Sequence, residues 1–289
     1  MPAQRRSAPA QSLREYGRGV VGGLLVSLPL LYTMEVWWAG FTSTPERLLA
    51  GLGATFVLLL LYNRYAGLHE DSCWQEVVID SIEELGIGLV VSASVLWLIG
   101  EIAPATTPEE VIGKIVIEAM AVAIGVAVGT AQFGDAQEGE QGMADDEGDE
   151  DGGGPSTLAG LALGFCGAFL VAANVAPTDE IVQIASETPL LRLLLVAAVS
   201  FGLCGLTLFF SDFSGSAEHV ARDGRKDVLR GSVVTYAVAL LAAGFLLWFF
   251  GRFDGSTPEH AAALLVVLGF PAALGASAGR LLLQQSSDR

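Results

Sequence analysis

Positive charge is scarce in this chain: 15 Lys and Arg stand against 32 Asp and Glu in 289 residues, a formal net charge of −17. A polyanion of that balance repels phosphate backbones, so nucleic acid is not an expected partner. Cysteine is scarce too. Cys73, Cys166 and Cys204 form neither a paired framework nor a ligand spacing, which gives no support for a disulfide scaffold or a zinc site. The three histidines, His69, His219 and His260, are too scattered for a metal centre. Metalloprotease, phosphate-loop, hydrolase-elbow and dinucleotide signatures are all missing, so the sequence points to no enzyme and no cofactor and leaves any metal unknown.

What the chain has in excess is apolar length. With 52% hydrophobic and 16% charged residues and a mean hydropathy of +0.53, it is too apolar for an ordinary soluble domain. Runs of about 20 apolar residues, enough to cross a bilayer as a helix, recur throughout. The pattern predicts an all-α integral membrane protein with eight spans: 19–41, 46–63, 79–100, 109–131, 158–177, 189–211, 229–251 and 259–282. Residues 1–18 form a basic arm, and the first run is too long for a secretory signal. Nine acidic and no basic residues lie between Asp135 and Asp151, so 132–157 is expected to be a disordered, solvated linker, and 283–289 a short tail.

Eight spans put both termini on one side. Eleven Lys and Arg fall on that side and only Arg47, Lys114, Arg192 and Arg252 on the other, which makes the N-terminal side cytoplasmic. The outer ends carry a repeated signal, Thr44-Pro45, Thr107-Pro108, Thr188-Pro189 and Thr257-Pro258. Thr caps a helix and Pro suits its first turn.

The two halves can be laid on each other. GGLLVSLPLLYTMEVWWAGFTSTP (22–45) runs beside GAFLVAANVAPTDEIVQIASETP (167–189), VLWLIG (95–100) beside LLWFFG (246–251), and TPEEVIGKIVIEAMAVAIGVAVG (107–129) beside TPEHAAALLVVLGFPAALGASAG (257–279). Aligned Pro, Gly, Trp and Thr-x-Glu are harder to dismiss than aligned leucines, and they predict two tandem parallel four-helix repeats, 19–131 and 158–282. Gly125 with Gly129, Gly275 with Gly279, and Gly160 with Gly164 read as close helix packing.

Ionisable residues at membrane depth raise a functional question by default. Glu35 aligns with Glu180 in the motifs Thr33-Met34-Glu35 and Thr178-Asp179-Glu180, after Pro29 and Pro177, whose kinks could free carbonyls for a cation site. Thr33, Glu35, Thr178, Asp179 and Glu180 are therefore candidate ion ligands; against this, Trp37 and Trp38 suit a wetted interface. Asp80, Glu83 and Glu84 share a helix face near the inner end, either as an interfacial stretch or as a cation vestibule. Glu110, Lys114 and Glu118 are spaced for pairing, with Lys114–Glu118 expected as a structural ion pair. Arg64 and Asp212 are candidates for a cytoplasmic latch.

The segments PLLYTMEVWWAGF (29–41), NVAPTDEI (174–181) and FSDFSG (210–215) resemble a prokaryotic family of integral membrane proteins, domain of unknown function 2391. The resemblance implies a multi-spanning inner-membrane protein and brings no substrate with it. The residues themselves favour a transporter or channel for a small cation, with proton coupling open. A non-transporting accessory or scaffold protein is the alternative and a membrane-embedded enzyme the weaker one. The bilayer is the expected partner, and a homo-oligomer is compatible with the sequence.

Overall fold

The structure, a computed structural model, describes residues 9–66, 73–132, 157–212 and 224–287. Among these residues all regular structure is helical: α1 (Pro9–Leu31), α2 (Met34–Thr42), α3 (Pro45–Ala66), α4 (Trp74–Leu98), α5 (Pro108–Gln132), α6 (Thr157–Ala173), α7 (Asp179–Glu187), α8 (Leu190–Asp212), α9 (Gly224–Phe249) and α10 (Pro258–Ser287). The expected acidic linker falls largely outside the described residues. So do the first eight residues of the basic arm, whose remainder, from Pro9, is the start of α1.

Among the described residues six helices are long and apolar enough to cross a membrane: α3, α4, α5, α8, α9 and α10. The other two expected spans are interrupted. The run 19–41 breaks at Tyr32-Thr33, just beyond Pro29, and restarts as α2. Pro29 itself stays inside α1, and the chain turns just after it, where Thr33 N donates to Leu30 O at 2.8 Å and the Thr33 hydroxyl takes up the Pro29 carbonyl. In the second half α6 stops at Ala173, with Pro177 inside the gap, and residues expected to form an outer loop carry α7 instead. The apolar stretch of α6, Leu158–Ala173, is accordingly shorter than a full span.

Local chemistry sets the helix boundaries. α3, α5 and α10 each begin at the proline of a Thr-Pro pair, and α8 one residue after it. The Thr107 and Thr257 hydroxyls each accept the amide three residues on, from Glu110 and His260, both at 3.3 Å, which satisfies a donor the helix leaves open. At the far end of two hairpins the chain turns on a glycine in the left-handed region, Gly100 (φ 88) after α4 and Gly251 (φ 70) after α9. The bonding there is the same in both: Glu101 N to Leu96 O at 2.9 Å and Arg252 N to Leu247 O at 2.8 Å, a wrap that needs a residue free of Cβ strain.

Within each half the last helix is the hub. α5 packs against α1, α2, α3 and α4, and α10 against α6, α7, α8 and α9. Glycine sets the approach. A Cβ on Gly22 would lie 2.3 Å from the Gly129 Cα, one on Gly113 1.9 Å from the Gly40 oxygen, and one on Gly167 2.2 Å from the Gly275 oxygen. Backbones that close gain dispersion contact in lipid, where no hydrophobic drive pushes helices together. The halves meet through α3 against α6 and a shared core in which Leu58, Leu59 and Tyr62 join Leu163, Phe169 and Leu246.

Candidate functional site

The two carboxylates that the alignment pairs, Glu35 and Glu180, take the same local place. Each is the second residue of a short helix whose N-cap is a threonine, Thr33 for α2 and Thr178 for α7. A carboxylate there faces the positive end of the helix dipole. Glu35 is half-buried and Glu180 exposed. The short helices dock on different hubs, α2 on α5 and α7 on α10. Neither threonine hydroxyl is directed at a ligand: Thr33 Oγ1 donates to Pro29 O and Thr178 Oγ1 to Val175 O at 2.9 Å. The prolines' own carbonyls are both engaged, Pro29 O by the Thr33 hydroxyl and Pro177 O by Arg252. Asp179 pairs with the same Arg252 at 2.9 Å.

The pairing expected between Lys114 and Glu118 does not form. Lys114 is buried, and its ammonium reaches Glu110 Oε1 at 2.9 Å, Glu101 Oε2 at 3.1 Å and Glu101 O at 3.4 Å. Those three acceptors match its three N–H donors. The side chain leans toward the helix N-terminus and the wet end of α5, where two carboxylates stand, and has no donor left for Glu118. Glu118 is consequently alone. Its side chain is 0% exposed, and neither carboxyl oxygen reaches a hydrogen-bond partner among the described residues.

The trio Asp80, Glu83 and Glu84 divides. Glu84 is buried against α3 and accepts from Asn63 Nδ2 at 2.7 Å, while the same amide donates to Ser81 Oγ at 3.1 Å. Glu83 is exposed and accepts from Tyr16 of α1 at 3.3 Å; Asp80 is half-buried. One helix face thus carries a sequestered carboxyl and a wet one. Arg64 lies over the Trp74 ring at 6.0 Å; the expected latch to Asp212 rests on a side chain outside the described residues.

Two pairings were not foreseen from the sequence, although Asn63 stood out there beside Arg64 as a polar group facing Ser211 and Asp212 of the repeat. Asn63, a lone amide in an otherwise apolar run, is the partner of Glu84, and its position three residues from the end of α3 was the available signal. The bidentate pair of Arg47 with Asp254, at 2.8 and 2.7 Å, spans 207 residues and joins the halves at the Thr-Pro end of the bundle. Beneath it lies an apolar pocket between the halves, lined by Leu30, Val36, Ile117 and Met120 on one side and Phe169, Phe245 and Phe249 on the other. No polar side chain lines it, so it holds no ion unaided.

Helices of membrane-spanning length, irregular breaks and carboxyls buried inside the bundle define a class, the multi-spanning α-helical integral membrane proteins. Residues 15–283 match the family described as "Putative integral membrane protein (DUF2391)", and the chain belongs to that family. No curated protein and no solved structure matches it.

Proposed function

We propose that the protein is a transporter or channel for a small cation and that its site lies on α4 and α5, at Glu84 and Glu118, rather than at Glu35 and Glu180. The observation that carries the proposal is Glu118, wholly buried in a spanning helix with no partner among the described residues. Stability does not call for such a group, because a polar atom buried without a hydrogen bond costs about 1–3 kcal/mol. Glu84, also buried but held by a neutral amide, gives a second station toward the inner end.

The architecture belongs to the same proposal: two tandem repeats, each of four crossings, with both termini cytoplasmic. Support comes from the matched glycine wraps at Gly100 and Gly251, the matched hubs α5 and α10, and the crossings of α1 on α5 and α6 on α10 at aligned glycines. In this arrangement α1 and α6 cross together with the short helices that follow them.

Flux into proteoliposomes tests the function, driven by a pH gradient and by voltage. Glu118→Gln and Glu84→Gln should each lower flux at least about tenfold, the effect of about 1.4 kcal/mol on a rate, while Glu180→Gln stays near wild type. Absence of flux for protons and for every common monovalent cation sinks the proposal. The rival reading, a non-transporting accessory or scaffold protein, is favoured by the wholly apolar lining of the pocket between the halves, and it predicts that null result.

A further inference from the structure

Glu118 does not stand on an arbitrary face of α5. Leu30 and Val36, on either side of the α1–α2 break, pack in one cluster with Ile117 and Ala121, and Leu31 packs with Val122. On a helix, positions 117, 121, 118 and 122 form one continuous strip. Glu118 therefore sits in the strip that α1, its break and α2 cover. The charged and titratable groups around it are few. The facing stretches Val20–Leu31 of α1, Leu48–Leu61 of α3, Leu85–Leu98 of α4 and Leu158–Ala173 of α6 hold no ionisable side chain except Cys166. α2 offers Glu35, α4 offers Glu84 two turns further in, and α5 itself offers Lys114, which is already paired.

Two neutral hydroxyls lie at the same depth. A Cβ on Gly88 of α4 would touch Ala119 and Ala123 of α5, so Ser92, one turn outward, is level with Glu118. Asn63 of α3 bonds Glu84 of α4, so Thr55 and Ser92, each eight residues further out, share a level. Thr55, Ser92 and Glu118 are all 0% exposed, and their side-chain oxygens have no partner among the described residues. The second half lacks this layer: on the alignment Glu118 falls on Leu268 and Ser92 on Ala243, both 0% exposed.

From this placement we infer that Glu118 is a single proton-binding site, present in the first half only, and that the proton is the cation this path carries or is coupled to. The inference rests on the transport reading and names its ion. A hard metal cation needs about six oxygen ligands, whereas the break spends its carbonyls on its own chain: Leu30 O accepts Thr33 N at 2.8 Å, and Leu31 O accepts Trp37 Nε1 at 3.2 Å. One carboxyl and two hydroxyls fall well short of that shell. A proton needs only the carboxyl, which as a neutral acid also avoids placing an uncompensated charge in a dry interior. The step balances simply: the carboxyl O–H breaks, the proton passes to water on one side of the membrane, and the carboxylate takes a proton from water on the other.

The test uses the full chain reconstituted in lipid. Infrared difference spectra across a pH titration should show a carboxylic-acid C=O band that is absent in Glu118→Gln and shifted but present in Glu118→Asp. Proton flux should fall at least tenfold in Glu118→Gln, and also in Glu118→Leu, which copies Leu268 and guards against misfolding of the glutamine variant. No band assignable to Glu118 overturns the inference, as does a band accompanied by unchanged flux in both variants. Robust flux of a metal cation that needs Glu118 but ignores the pH gradient overturns it while sparing the transport reading. A wild type that moves no ion overturns the transport reading itself.

Discussion

At the scale of single residues, the buried carboxyls differ in what surrounds them, and that difference is measurable. Asn63→Leu leaves Glu84 buried without its amide donor. It should lower stability by about 1–3 kcal/mol, read as an earlier thermal melt in detergent. Glu118→Leu should do the opposite, holding or raising the melt, since it removes a polar group that has no partner among the described residues and fills the space with a side chain already accepted at Leu268. A strong loss of stability in Glu118→Leu would mean that Glu118 has a structural partner after all. The Lys114 triad explains why a local rule misled. Helical spacing offers Glu110 and Glu118 equally, and the choice is made by Glu101, in a loop 13 residues away and at the wet end of the helix. Tertiary depth decides such a contest, and no window of sequence contains it.

Among the elements, boundaries written in local chemistry were legible and interruptions were not. The Thr-Pro pairs mark the starts of α3, α5 and α10 because Thr and Pro each act within one turn. The restart at α2 is harder to see, because the apolar run continues through Tyr32-Thr33 while the backbone breaks. Proline at Pro29 signals a kink; whether the chain bends or starts a new helix depends on what α5 offers for docking. The glycine contacts give the element-scale prediction. Gly113→Val and Gly167→Val drive side chains into backbone at 1.9 and 2.2 Å. Each should cost at least about 1–3 kcal/mol and reduce folded yield. Gly53→Ala, where a Cβ meets nothing within 4 Å, should instead stabilise α3 by about 0.5–1 kcal/mol. Equal melts for all three would show that the crossings are looser than drawn.

For the whole molecule, the tie between halves is partly ionic and therefore depends on pH. The hydrogen bond from Arg47 holds the Asp254 carboxyl below its ordinary value of 3.8. A group depressed in the folded state contributes fully above its unfolded value and loses that contribution as pH falls through the folded one. Wild type and Asp254→Asn should accordingly differ in melting temperature near neutrality and converge in strong acid. Because the pair is exposed, the difference should also shrink in high salt. A gap that persists in acid would assign the effect to packing of the Asp254 loop. The pairing of distant halves through Arg47 was invisible in the sequence because its partner lies 207 residues away on a glycine-bounded turn.

The contrast between the glycine crossings and the seam has a mechanical consequence. Where α1 meets α5 and α6 meets α10, backbone lies against backbone with no side chain between to give way. The seam is filled by Phe169, Phe245, Phe249 and Met120 around open space, and long side chains yield by changing rotamer. The molecule is thus two stiff struts with a compliant gasket. Spin labels placed across either crossing should report one narrow distance in every lipid and at every membrane tension, while labels across the seam should broaden as the bilayer is stretched.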